Sequence, residues 1–348
     1  MRKSLLIVAM GLCLLVMPFT FTLGNALAQQ PKPVELSFSH TIPPVVPLAK
    51  VYEQWGKMLG ERSGGRVKIN FYWSESLLKA SELFRGVQTG QADISYYVVG
   101  IDYGLMPLNM VTKLAFLGFP DLPTGTRIYN NLYNKFPEVR EEFKGVKVLS
   151  ARMGPAYQLH FTKKEVRVPA DLKGMKVISV GGSMAKEMVG MGASPIDVKV
   201  GDLYVALERG LAEGISTHIP ILHAFGILKL VPHHTFFKGG AVMGPDMLLF
   251  NLKKWQGLPA DIQKIFEELG PWLGEELIKA DSGYEAMVIG KAKEMGHTIV
   301  TPTPEELKLW KQAAQPVHDK WIAETAAKGL PAKALYDEAK KLIQESQK

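Results

Sequence analysis

An α/β protein of two lobes with a ligand cleft between them is what the amino-acid sequence predicts, and three observations carry that expectation. Strand-like and helix-like periodicities alternate as βαβαβ between residues 34 and 99. A second alternation of short strands and helices runs from about residue 169 to 219. Between the two there is neither a low-complexity linker nor an internal repeat, so the chain passes from one lobe to the other without a free tether. Clefts between such lobes are where small ligands usually bind, and hinge closure around them is a natural motion.

The elements follow in order. Arg2 and Lys3 precede an uncharged run from Ser4 to Leu23, and Ala26-Leu27-Ala28 supplies small residues for cleavage. That order is the signature of a secretory signal peptide. The run is also long enough to span a bilayer, but the cleavage box and the polar Gln29-Gln30-Pro31 after it favour removal at residue 28. Val34 to His40 alternates as a strand does, and Val46 to Glu61 carries Leu48, Val51, Tyr52, Trp55, Met58 and Leu59 at helical spacing. Ser63-Gly64-Gly65 stops that helix, Arg66 to Tyr72 is a second strand, Glu82 to Thr89 a helix, and Ala92 to Val99 a third strand. Connections of that length allow parallel pairing. Gly145 to Ser150, Tyr157 to Thr162, Lys176 to Val180 and Ile215 to Ile219 read as further strands, with helices over Met184 to Met191 and Asp202 to Arg209. Asp261 to Ala280, Tyr284 to Met295 and Glu305 to Lys328 read as long surface helices.

Composition narrows the function classes. The one cysteine, Cys13, leaves with the signal peptide, so neither a disulfide nor thiol chemistry is expected of the mature chain. The net charge of +7 is spread without a block of like charges, which argues against a nucleic-acid track. Gly181-Gly182-Ser183 opens a helix after a strand, yet it has neither the dinucleotide spacing nor a phosphate-loop lysine. His233-His234 has no cysteine partner and no His-Glu-x-x-His context, so a surface or loop role is expected and no metal or cofactor. A Gly-x-Ser-x-Gly elbow is also absent, and nothing demands catalysis.

The ends of the strands are more informative, because in open α/β sheets those ends line the binding crevice. His40 ends the first strand, Trp73 follows the second, and Tyr97 lies in the third. Tyr157 and Gln158, Ser179, Thr217 and His218 occupy comparable places later. Each taken singly also reads as a structural residue. Together they describe a cleft lined by aromatic and neutral polar groups.

Several segments carry a family likeness. They are Phe38-Ser-His40, Ser63-Gly-Gly-Arg-Val-Lys-Ile69, Phe84-Arg-Gly-Val-Gln-Thr-Gly-Gln-Ala-Asp93, Val168-Pro-Ala-Asp-Leu-Lys-Gly-Met-Lys-Val177, Gly192-Ala-Ser-Pro195, Asp202-Leu-Tyr-Val-Ala-Leu-Glu-Arg-Gly210 and Asn251-Leu-Lys-Lys-Trp-Gln-Gly-Leu-Pro259. In that order the chain resembles the DctP-type solute-binding proteins of tripartite ATP-independent periplasmic (TRAP) transporters. The resemblance implies a two-lobed periplasmic binding protein fold whose lobes are linked by crossing strands and a long helix. It implies a first lobe from 29–150 and 240–275, a second from 151–239, and C-terminal helices over 276–348. The implied partners are a small organic solute and a membrane permease of small and large subunits, with a monomer expected over a dimer, no nucleic acid and no enzyme activity. A solute sensor docking on a signalling receptor and an exported α/β enzyme are the alternatives.

The resemblance also points to departures. Typical members clamp the ligand's carboxylate with an arginine, which suits bidentate recognition. Here Ile178 stands in its place, Gln158 at a second arginine's position, Thr217 at a frequent asparagine's and Val200 at an aromatic's. Either another cation (Arg152, Lys163 or a protonated histidine) enters the cleft, or the solute is aromatic or less charged than a simple acid.

Overall fold

The computed structural model describes residues 32–102, 104–179 and 182–348. The expected signal peptide, residues 1–28, lies outside the described residues. Alternation in Val34–Ser39 (β1) sends Leu36 and Phe38 fully into the interior. The helix Pro47–Arg62 starts on a proline at its first turn and buries Leu48, Ala49, Tyr52, Trp55 and Leu59 along one face. It returns the chain to Val67–Tyr72 (β2), parallel to β1. A second short helix, Leu83–Thr89, leads to Ile94–Val98 (β3), parallel to β1 on its other side.

The first sheet is completed by strands from farther along. Val146–Met153 (β4) lies at its edge, and Pro245–Asn251 (β10) inserts antiparallel between β3 and β4, giving the order β2-β1-β3-β10-β4. The second sheet contains Gln158–Phe161 (β5), Lys176–Ser179 (β6), Ser194–Ile196 (β7), Gly214–Thr217 (β8), His233–Thr235 (β9) and Thr298–Val300 (β11), in the order β11-β9-β5-β8-β6-β7. Strand β11 therefore carries the C-terminal part of the chain back onto the second sheet.

Three connections join the sheets. The segments just after β4 and just before β10 run side by side, paired by Gly154 N to Gly244 O, Tyr157 N to Val242 O and Ala241 N to Tyr157 O, each 2.8 Å. The third is the 35-residue helix Ala260–Glu294, about 50 Å long at 1.5 Å per residue. From periodicity alone two helices are expected here, parted near Ser282-Gly283. The helix continues because Asp281 and Tyr284 are buried on either side, and those contacts override the modest cost of one glycine. Two further helices, Pro304–Ala326 and Ala332–Glu345, pack on the body through buried Trp310, Trp321, Leu335 and Ile343.

Candidate functional site

A cavity of about 140 Å³ opens where the two sheets face each other. His40 and Tyr96 form one wall from the first sheet, and Tyr157, Thr217 and His218 face them from the crossing strand and the second sheet. Apolar residues complete it: Ile42, Val46 and Leu48 from the Pro-rich loop and helix start, Pro220, Ile221 and Phe225 from the opposite lobe. Asp281 and Tyr284 reach it from the long helix. A wider groove of about 790 Å³ adjoins it, lined in part by Ser179, Val200 and Ile101.

The polar groups of the wall are held neutral. His40 stacks on Tyr96 at 4.2 Å with the rings 6° from parallel, and its Nδ1 lies 3.2 Å from the backbone N–H of Ile42. Accepting that hydrogen bond leaves the proton on Nε2, which is buried without a partner and so is free to donate to a ligand oxygen. Burial, reinforced by Arg152, holds the His40 pKa well below the usual histidine range. Burial also takes His218 down to about 3, with Lys113 and then Arg152 adding to the effect. Its Nδ1 is likewise buried and unpartnered.

Behind this wall lies a cluster of buried charge. Arg152 meets Asp281 at 2.6 Å and Asp246 at 3.4 Å, and all three side chains are almost wholly buried. Burial works against the guanidinium's charge, but the two carboxylates outweigh it and raise the pKa. Burial pushes Asp281 up to about 6 and raises Asp246 as well, each opposed by Arg152. Lys113 is the other buried cation among the described residues, 4% exposed, with its Nζ 5.1 Å from the centre of the Tyr157 ring. Burial lowers it to about 8, and Asp246 partly restores it.

The structure brings together half of the residues singled out in the sequence. His40, Tyr157, Thr217 and His218 line the cavity, and Ser179 lines the adjoining groove. Trp73 instead stacks on Phe71 at 5.2 Å, behind His40. Tyr97 is fully buried on the other face of its strand beside Phe84, and its neighbour Tyr96 takes the cavity position. Side chains alternate along a strand, so the correction is one residue. Gln158 is tied to the backbone of Phe237 through both its amide oxygen and its amide nitrogen. Ile178 is fully buried in the lobe core and does not line the cavity.

The cations named from sequence also need correction. Arg152 is already matched by two carboxylates, Lys163 is exposed, and the cavity histidines are neutral. His234, expected at the surface, is buried in β9 within a row of imidazoles. His160 Nε2 lies 3.1 Å from the carbonyl of Thr217, its Nδ1 2.8 Å from His234 Nδ1, and His234 Nε2 3.0 Å from His297 Nδ1. Among the described residues no group of three His, Cys, Asp or Glu side chains is arranged to hold a metal. Sequence reasoning took Tyr97 over its neighbour Tyr96 and missed Asp246, Asp281 and Lys113. For Lys113 a signal existed, since it is the one charged residue in the mainly apolar stretch from Leu105 to Leu117.

Residues 38–325 match the family described as bacterial extracellular solute-binding protein, family 7, known as DctP. The chain belongs to the DctP family. Members are solute-binding proteins of TRAP transporters, receptors and not enzymes, and the two-lobed α/β fold is theirs. A TRAP solute-binding protein of an unidentified marine microbe, specific for aromatic acid ligands and crystallised with 3-hydroxybenzoate, is 25% identical with a TM-score of 0.84, covering 91% of this chain and 99% of that one. One from Rhodoferax ferrireducens, in complex with copurified benzoate, is 23% identical with a TM-score of 0.80 over 90% of this chain and 98% of its own. The C4-dicarboxylate-binding periplasmic protein DctP of Rhodobacter capsulatus is 23% identical over 319 residues, 86% of this chain and 90% of the relative.

Proposed function

We propose that this DctP-family chain is exported by its cleaved signal peptide and acts in the periplasm as a monomeric receptor. It hands a compact organic acid with an apolar, single-ring body to the small and large subunits of a TRAP permease. The observation that carries the reading is the cavity itself. Its volume of about 140 Å³ is close to that of an engineered apolar cavity of about 150 Å³ that holds benzene. Its walls are mainly aliphatic and aromatic, and its polar groups are neutral imidazoles, threonine hydroxyls, tyrosines and the carboxyl of Asp281, which is paired with Arg152. The aromatic-acid specificity of the marine relative, at 25% identity across nearly the whole chain, supports the same class.

His40 would donate through Nε2 to the ring substituent or acid oxygen of the solute, and stacking surface would come from Tyr96 and Tyr157. Thermal shift of the purified mature protein tests this. Benzoate, 3-hydroxybenzoate and mandelate stand against succinate and galacturonate. A ligand at 100 times its Kd stabilises the native state by about 2.7 kcal/mol, so the aromatic monocarboxylates should raise the melting temperature by several degrees. A response to succinate or galacturonate with none to the aromatic acids would overturn the proposal.

A further inference from the structure

We propose that Lys113 is the cation that receives the solute's carboxylate, reaching the cleft from behind through a gap left by Gly100 and Gly244. The inference rests on the cavity being the solute site and adds the group that recognises the acid. Lys113 ends the short 3-10 turn Asn109–Lys113, whose other residues are buried and uncharged. A Cβ added at Gly244 would lie 2.0 Å from the lysine's Cε, and one at Gly100 would lie 3.0 Å from its Cδ. The stem therefore occupies space that only glycine leaves open at Gly244. Gly244 belongs to the paired crossing segments that join the lobes.

Beyond the gap, the ammonium lies over the ring of Tyr157, which faces the cavity and meets His218 edge-on at 5.8 Å. It has no ion pair or hydrogen bond among the described residues, whereas Arg152 is held by two carboxylates. A buried ammonium with only a ring face and the field of Asp246 is incompletely compensated, and a carboxylate beside Tyr157 supplies the missing counter-charge. Lys113 and Arg152 both act on His218, so both cations lie near that end of the cavity, and of the two only Lys113 is without a carboxylate partner among the described residues. Lys113 is not itself in the wall of the cleft cavity; it lines a groove of about 370 Å³ on the far side, where Glu187 is buried with Oε2 unpartnered. Service to that groove alone is the competing role, and it leaves cleft binding unaffected.

Titration calorimetry with benzoate and its uncharged analogue benzamide separates the two. Lys113→Met keeps the unbranched stem and removes the charge. Losing one partner of a desolvated charge pair costs about 2–5 kcal/mol, so benzoate affinity should fall by about 30-fold or more. Benzamide affinity should stay within about threefold. Gly244→Ala keeps the charge but displaces the stem, and should weaken benzoate about tenfold by the same loss of contact; it carries the comparison if Lys113→Met does not fold. Benzoate binding to Lys113→Met within threefold of the native protein overturns the proposal, with the aromatic-acid reading intact. Where the native protein binds neither probe, that reading fails separately, and the tightest acid of the thermal-shift panel and its amide replace them. Binding of neutral solutes alone would also overturn the role of Lys113.

Discussion

Two buried polar clusters flank the cleft, and they solve the same physical problem in opposite ways. Arg152, Asp246 and Asp281 keep charge in the interior and match it by ion pairing. His160, His234 and His297 discard charge and link neutral rings by hydrogen bonds. Burial lowers His160 to about 3 and His234 to about 2, whereas it raises Asp281 to about 6. The first cluster ties β4, β10 and the long helix together at the junction of the lobes. The second lies within the second sheet and ends on the carbonyl of Thr217, at the cavity wall. Charge is thus kept where three connections converge, and neutrality where a single sheet must stay packed.

The strongest way to break this comparison is Arg152→Met. It leaves two buried carboxylates without their cation, and removing one partner of a buried pair costs about 3–5 kcal/mol. Urea unfolding at pH 7.5 should show that loss. A change below about 1 kcal/mol would mean the carboxylates are already protonated and the cluster carries no net ion pairing.

Acid should sharpen the contrast, because the clusters respond with opposite sign. The folded pKa values of His160 and His234 lie below the unfolded value of about 6.5. Their contribution is complete above pH 6.5 and is lost as pH falls toward about 3. Each contributes a slope of up to about 1.4 kcal/mol per pH unit across that window. His234→Gln should therefore flatten the fall in unfolding free energy between pH 6.5 and 4.5. An unchanged slope would remove the histidine row as its source.

Asp281 acts the other way. Its folded pKa is above its unfolded value of about 3.9, so its unfavourable term is absent below that pH and grows as pH rises through about 6. Asp281→Asn leaves Arg152 paired with Asp246, so its cost at pH 7 should be smaller than that of Arg152→Met, which leaves two carboxylates unmatched. The variant should also show a steeper acid loss than the native protein, because the opposing term has gone. A shallower loss would reverse the sign assigned to Asp281.

The smallest expected effect concerns neighbouring tyrosines. Tyr97 Oη is buried without a partner, so Tyr97→Phe removes an unsatisfied hydroxyl and should be neutral or stabilising by up to about 1 kcal/mol. Its affinity for aromatic acids should be unchanged. Tyr96→Ala should weaken that affinity, because Tyr96 stacks on His40 at the cavity wall. Equal effects of the two variants on binding would put the cavity on the wrong face of β3.

Much of this was legible along the chain, for reasons that differ by residue. His40, Thr217 and His218 stand at strand ends, where open sheets place their binding groups, so position alone found them. Tyr96 and Tyr97 are adjacent and chemically alike, and only the register of β3 against β1 and β10 decides which faces the cleft. Arg152 was visible as a cation, but its partners Asp246 and Asp281 lie far away in sequence. His234 looked like a surface residue because nothing nearby announces the strand pairing β9 with β5 and β11.

By itself the sequence determined the local elements, the family and the two-lobed class, because periodicity, turn residues and ordered motifs are all short-range properties of the chain. The tertiary structure alone decided which face of each strand meets the cavity, which cation is already neutralised, and which one passes between two glycines toward Tyr157. Those outcomes depend on distances between residues far apart in sequence and on burial, and both are set only when the sheets and the long helix pack together.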